Sequence, residues 1–563
     1  MKKKICIFVC FILIFAMNTH VQVAFAYEKN AVRSNALCYF DYENNVSHTF
    51  AVVDITELSI RELQQAVDDG FLTYEQIMRL YLERIEAYGE MYQCITQISE
   101  TALEEAIECD RIYKEQGRSS LLFGLPAIVK DNLDVAGMAT TDGNAFLETK
   151  LATTDADVIA SLKNAGAIIV AKANMDRYAE HSQYSISDYG RVNNAFDLSM
   201  SAYGSSGGSA VSAAASLAPI CIGTDTNASI RVPSGANGVV GIRPTYGLLS
   251  RKGLTVCIAG RDTAGPIAKT AEDAAIILTA LNDYEIDYTS YLDMYALDGM
   301  RIGIVEQLWY FATPSVKEHL EIAVEVLEDQ GAEIVNMPIS ICDDWENGVG
   351  WYGPYFNNMM DQYDVDVAIH PTLWDEVKTH EVAYGSQSSC GSFVAPSAGV
   401  PSVTVPIGQN EKGLPYSMEF VARANDDATA IMAAYCFEQA RGLHLKTPLA
   451  PNLYEIPDNI VALYKLAEQE IYPPIDQYDQ GESEEYEQVM RAYQAVLDFL
   501  DSSYYDDEQA NSVANELRMD YYDAVTDYRF SYLRESRRNI KSQLQEFSVD
   551  NFVKEFIEHL ATL

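Results

Sequence analysis

The sequence predicts an α/β fold: a mixed central β-sheet surrounded by helices, followed by a C-terminal helical extension. Three observations carry this expectation. Short apolar runs of strand length alternate with segments of helical period through residues 54–447. Runs such as FGLPAIVK and PSVTVPIG are almost continuously apolar, the pattern of strands buried on both faces. After Leu445 glycine becomes scarce, while acidic residues, tyrosine and glutamine rise.

At 563 residues the chain has room for more than one domain. Residues 1–26 read as a signal peptide. Lys2, Lys3 and Lys4 precede the apolar run ICIFVCFILIFAM, and a small-residue site closes the segment at Ala24-Phe25-Ala26. The apolar run is short for a bilayer span. The expectation is a secreted or cell-surface protein with no stable membrane insertion once the leader is cleaved; an uncleaved anchor is the alternative. Residues 27–53 read as irregular.

From Asp54 apolar residues recur every three or four positions through ITELSIRELQQAVDDGF, LTYEQIMRLYLERIEAYGEM and ETALEEAIECDRIYKEQ, which predicts three amphipathic helices. FGLPAIVK then reads as a strand ending in a turn at Asp131-Asn132. VIASLKNAGAIIVAKAN reads as helix, glycine stop and strand. MRIGIV, YDVDVAIHP, PSVTVPIG and YSMEFVA are further strands, interleaved with the helices VKEHLEIAVEVLEDQG and DATAIMAAYCFEQA. Residues 54–447 thus form one α/β domain. Residues 448–563 form an acidic helical extension whose role stays open between packing on that domain, forming a homodimer and binding a partner.

The formal net charge of −43 argues against nucleic acid or an anionic membrane as partner. The cysteines outside the leader are scattered, with no C-x-x-C pair. That fits neither a zinc site nor a disulfide scaffold and suggests buried thiols. No metal or cofactor is implied.

The run YGSSGGSAVSAAA, residues 203–215, has a linker's composition but sits between segments that read as buried. Gly204-Ser205-Ser206-Gly207-Gly208 formally matches the G-x-S-x-G elbow of serine hydrolases. That motif needs a strand directly before it, and NNAFDLSMSAY is a polar loop. It also needs a histidine, and His370, His380 and His444 lack a supporting local pattern. A second serine loop, GTDTNASIR, closes the apolar segment LAPICI. Upstream, Lys130 ends an apolar strand, where an ammonium group is costly unless paired or neutral. A neutral lysine can act as a base, and a nucleophilic serine needs one.

Lys130 in GLPAIVKDN, Ser205 in YGSSGGSA and Ser229 in GTDTNASIR together resemble the Ser–Ser–Lys triad of the amidase signature family. The intervals of 75 and 24 residues match that family's spacing, and similarity continues through GVVGIRPTYGLLSRKG, RDTAGPIAKTAEDAA, SAGVPSVTVPIG and KGLPYSMEFVARANDDATAIMAAYCFEQA. The resemblance covers residues 54–447 and implies the amidase-signature fold. It implies Ser229 as nucleophile, Ser205 as a bridge held by a cis peptide, and Lys130 as the base reached through Ser205. It further implies an oxyanion hole of the backbone N–H groups of Thr226, Asn227, Ala228 and Ser229.

Asp225 and Arg231 resemble family positions that hold the nucleophile loop, with Ser206 as a further supporting residue; catalytic and purely structural roles for the charged pair are both open. The family commonly has Gly-Gly where this chain has Asn227-Ala228, and an alanine there requires a backbone angle that tolerates a Cβ. The segment MDRYAEHSQYSISDYG differs from the version typical of the tRNA-dependent glutaminyl amidotransferase, and export argues against that role as well. The function expected is hydrolysis of a small-molecule or peptide amide. The alternative is a non-catalytic binding protein on the same scaffold. Tyr178, Tyr184 and Tyr203 are candidates for an aromatic pocket, with core or surface positions equally open.

Overall fold

The computed structural model describes residues 21–24, 35–41, 46–52 and 55–451, apart from 71, 283, 339–348 and 386–393. The chain divides into two compact units, residues 1–54 with 454–563, and residues 55–453. In the first unit the described residues form a three-stranded antiparallel sheet of Val21–Ala24, Asn35–Asp41 and Val46–Val52. Asn35 pairs with Val52 and Asp41 with Val46, so residues expected to be irregular form a hairpin. Most of the predicted leader, and the extension beyond residue 451, lie outside the described residues.

The second unit is built on one sheet of eleven strands. In chain order these are β1 Ile95–Ile98, β2 Pro126–Lys130, β3 Ile168–Ala173, β4 Ile220–Asp225, β5 Val240–Arg243, β6 Thr263–Ala268, β7 Arg301–Val305, β8 Glu333–Met337, β9 Val367–Pro371, β10 Ser402–Gln409 and β11 Pro415–Val421. The spatial order is β8-β7-β9-β11-β10-β5-β6-β4-β2-β3-β1. Strands β7, β8 and β9 run parallel, as do β3, β2 and β4, while β11, β10, β5 and β6 meet their neighbours antiparallel. The sheet is therefore mixed, as expected.

The predicted helices form where their caps allow. Helix α1, Ile60–Asp68, begins at a capping box in which Ser59 and Glu62 satisfy each other's backbone N–H groups, and α2, Tyr74–Tyr92, repeats the device with Thr73 and Gln76. Such caps contribute about 1 kcal/mol each. Helix α3 spans Ala102–Gln116 and α4 spans Asp157–Asn164. The turn after α4 passes through Gly166 at φ +86°, the glycine that stops the helix before β3.

Four elements of the site region carry no periodic signal. Residues Gly207–Ala214 form helix α5, buried on every side, and Arg231–Ala236 form the short helix α6. Strands β5 and β6 are short and glycine-containing, which hides them from pattern reading. Residues 448–451, assigned by sequence to the extension, belong to the α/β unit: the buried Arg84 guanidinium donates to the carbonyls of Ala450 and Pro451.

Candidate active site

Strands β2 and β4 lie side by side and parallel, with Val129 opposite Ile222. Their carboxyl ends therefore bring Lys130 and the segment Gly223–Asp225 to one edge of the sheet, the edge where open α/β sheets place their ligands. Both strands are fully buried.

Helix α5 packs across β4, β2 and β6 and begins directly after Ser206. The glycines before and inside it answer to close approach: a Cβ on Gly204 would lie 2.2 Å from the Tyr184 carbonyl oxygen, and one on Gly208 would lie 2.2 Å from that of Asn174. The linker-like composition is what lets backbone meet backbone here.

The Lys130 Nζ donates to Ser205 Oγ at 2.7 Å and to Thr224 Oγ1 at 2.9 Å, and both Lys130 and Ser205 are fully buried. Asn132 Nδ2 donates to the same Thr224 hydroxyl at 3.0 Å. The Gly204–Ser205 peptide is cis. The Ser205 carbonyl accepts from the Asp176 N–H at 3.0 Å, and the Gly204 N–H donates to the Ser182 carbonyl at 2.9 Å. Burial pulls the Lys130 amine down to about 7, although the carboxylates of Asp225, Asp176 and Asp262 work against the shift.

Ser206 stitches the small-residue run to β4. Its hydroxyl donates to the Thr224 carbonyl at 3.0 Å and accepts from the Thr224 N–H at 3.2 Å. Its own N–H donates to the Ser229 carbonyl at 3.2 Å. The Ser206 hydroxyl is thus engaged on both its donor and its acceptor side. His370 Nδ1 donates to the Pro371 carbonyl and His380 Nε2 to the Leu198 carbonyl, so each already has a different partner.

Ser229 is brought to the site through its backbone. Its hydroxyl is almost buried and makes no hydrogen bond among the described residues, including none to Ser205. The N–H groups of Thr226, Asn227, Ala228 and Ser229 likewise have no acceptor among the described residues. These are four successive donors beside an unengaged hydroxyl. Neither Asn227 nor Ala228 has a positive φ, so a Cβ is accommodated at both positions.

Buried charges shape this loop. Asp225 accepts from Arg231 Nε at 3.1 Å, from Arg243 Nη1 at 2.8 Å and from the Ile230 N–H at 3.0 Å. Burial alone would raise the Asp225 carboxyl, but the two guanidinium groups override it and hold it down at about 2. Arg231 also donates to the Asn227 carbonyl at 2.5 Å and to Glu419 Oε2 at 2.7 Å. Arg261 donates to Asn227 Oδ1 at 2.8 Å, and Thr226 Oγ1 donates to Asp262 at 2.5 Å. Two carboxylates thus balance Arg231 and Arg243, and every side of the loop is tied to the scaffold.

Sequence reading missed Thr224, Asn132, Arg243, Arg261, Asp262 and Glu419. It also missed Lys172, a second buried lysine whose Nζ lies 3.2 Å from Asp131 Oδ1 and donates to the Leu133 carbonyl at 2.8 Å. Lys172 sits in the apolar run IIVAKAN, the same signal that singled out Lys130. Of the candidate aromatic residues, Tyr203 is buried, Tyr178 is 43% exposed and Tyr184 is half-buried.

The family model for amidases matches residues 76–348, a span that contains Lys130, Ser205 and Ser229. Over that span the chain is similar to the amidase family. Among curated relatives of this family, a glutamyl-tRNA(Gln) amidotransferase subunit of Caldanaerobacter subterraneus subsp. tengcongensis is 36% identical over 300 residues, covering 51% of this chain and 61% of that protein. The chain thus spans about three fifths of the length of this relative. Two solved amidase-family structures share the fold. The peptide amidase of Stenotrophomonas maltophilia superposes with a TM-score of 0.61 at 27% identity, covering 69% of this chain and 98% of the other. The corresponding glutamyl-tRNA(Gln) amidotransferase subunit of Thermotoga maritima superposes with a TM-score of 0.58 at 25% identity, covering 71% and 98%.

Proposed function

We propose that this protein hydrolyses a carboxylic amide through an acyl-enzyme on Ser229, with Ser205 and Lys130 as the proton relay. The observation that carries the reading is the 2.7 Å contact between Lys130 Nζ and Ser205 Oγ, buried beside four unengaged N–H donors. With the amine neutral, its lone pair can take the Ser205 proton while Ser205 takes that of Ser229. Ser229 Oγ then bonds to the amide carbon, and the carbonyl oxygen becomes an oxyanion facing the N–H groups of residues 226–229. Such donors contribute about 3–4 kcal/mol to the transition state in related sites. Collapse breaks the C–N bond, and the lysine proton returns through Ser205 to the departing nitrogen. Water, deprotonated by the same relay, attacks the ester and releases the acid.

The substrate is a small-molecule or peptide amide, a reading the likeness to a peptide amidase supports. Export follows from residues 1–26 and makes the protein secreted or cell-surface; N-terminal sequencing of the mature chain from culture medium tests it. A second reading comes from the relatives that are glutamyl-tRNA(Gln) amidotransferase subunits: one subunit of an amidotransferase, working with partner chains. Turnover of Ser229→Ala against wild type on peptide, aryl, fatty and aliphatic amides, with glutamine included, tests the first reading and separates it from the second.

A further inference from the structure

The turn that borders Ser205 carries a stack of rings. His181 lies nearly face to face with Tyr184, ring centroids 4.7 Å apart and planes at 26°, and Tyr184 leans on Tyr384 at 5.2 Å and 35°. Asp176 fixes the end of the stack, with His181 Nδ1 3.1 Å from its Oδ2. Tyr384 is 67% exposed, so the stack opens to solvent.

This turn lies against the reacting groups. The Ser182 carbonyl accepts from Gly204 N–H, the Ser185 hydroxyl donates to the Tyr203 carbonyl at 2.9 Å, and the Asp176 N–H donates to the Ser205 carbonyl. On its other side the Ala179 carbonyl contacts Cys257 Sγ at 3.8 Å. The Cys257 N–H donates to Asp262, which anchors Thr226 of the N–H loop. Residues 176–185 therefore bridge the Ser205 run and the Thr226–Ser229 loop. On this bridge Glu180 is exposed and has no ion pair among the described residues. The net charge of −43 adds a field that attracts cations.

We propose that this rim is a subsite for a cationic group on the substrate amide, which packs against the open face of Tyr384 at the end of the stack and pairs with Glu180. A guanidinium fits best, because it is planar, stacks on aromatic rings and forms a fork toward a carboxylate. The inference rests on the hydrolase reading and names its substrate class: amides of arginine-like acids.

The test compares kcat/KM for acetyl-arginine amide with that for acetyl-citrulline amide, which keeps the shape and removes the charge. The expected ratio is about tenfold in favour of arginine, shrinking as salt rises. Glu180→Gln and Tyr384→Leu each bring the ratio toward one. A ratio near one in wild type, or one unchanged by both variants, overturns the subsite. If neither amide is cleaved while short aliphatic amides are, the subsite falls and the hydrolase reading stands. If no amide is cleaved, both fall.

Discussion

Lys130 and Ser205 are 75 positions apart in the chain, yet the lysine nitrogen lies 2.7 Å from the serine oxygen in a fully buried setting. Burial pulls this amine down to about 7, and the relay needs it uncharged. Activity therefore rises with pH as the ammonium loses its proton and levels off above about 7. Steady-state kcat/KM from pH 5 to 9 checks this, and a flat profile contradicts it. Lys130→Arg keeps a charge that does not dissociate in this range, so it loses about 10³-fold in kcat, as does Lys130→Met.

Asp225 holds two buried guanidinium groups at once. Asp225→Asn leaves Arg231 and Arg243 short of a counter-charge, and breaking such a buried pair costs about 3–5 kcal/mol. Urea unfolding at pH 7 should show this loss. The same carboxyl lies below its ordinary value in the fold, so its stabilisation is full above the unfolded value of 3.8 and is lost as pH falls through about 2. Wild type should therefore lose stability across that acid window, while Asp225→Asn lacks this contribution.

Glu438 behaves in the opposite sense. Burial pushes its carboxyl up to about 8, reinforced by the nearby Asp273, and it accepts from the Ala271 N–H at 3.1 Å. A raised acid favours the protonated fold. Stability is therefore undiminished below the unfolded value of 4.5 and falls as pH rises from there to about 8. Glu438→Gln keeps an acceptor without the charge. It should be more stable than wild type at pH 8 by about 1–3 kcal/mol, converging at pH 4. Thermal melts at the two pH values decide it, and a variant equally less stable at both contradicts the account.

The Asn227 side chain accepts from Arg261 Nη1 at 2.8 Å. Asn227→Gly removes the acceptor and loosens the loop, so it should lower stability by about 1–2 kcal/mol. It should also lower kcat more than it raises KM, because the N–H donors lose their fixed positions. Denaturant midpoints and Michaelis constants on the same preparation test both parts.

The site was legible where chemistry is local. Lys130 stands out as a cation ending an apolar strand, whereas Ser205 and Ser229 are picked out by the resemblance of their runs to the amidase signature. The charged frame was not legible, because Arg243, Asp262 and Glu419 reach the loop from strands or turns up to 188 residues away in the chain. Helix α5 escaped for another reason. A helix buried on all sides has no polar face, so its period leaves no trace in the sequence. The strands outside the site, such as Ser402–Gln409, were readable because their apolar runs are long and bounded by turns.

The central claim is that Ser229 is the nucleophile. The most direct measurement is covalent labelling of the intact protein with a fluorophosphonate, followed by peptide mapping. The account predicts one phosphonylated site, on the peptide carrying Ser229, absent in Ser229→Ala and strongly slowed in Lys130→Met. Label on another serine, or undiminished label in Ser229→Ala, would contradict it.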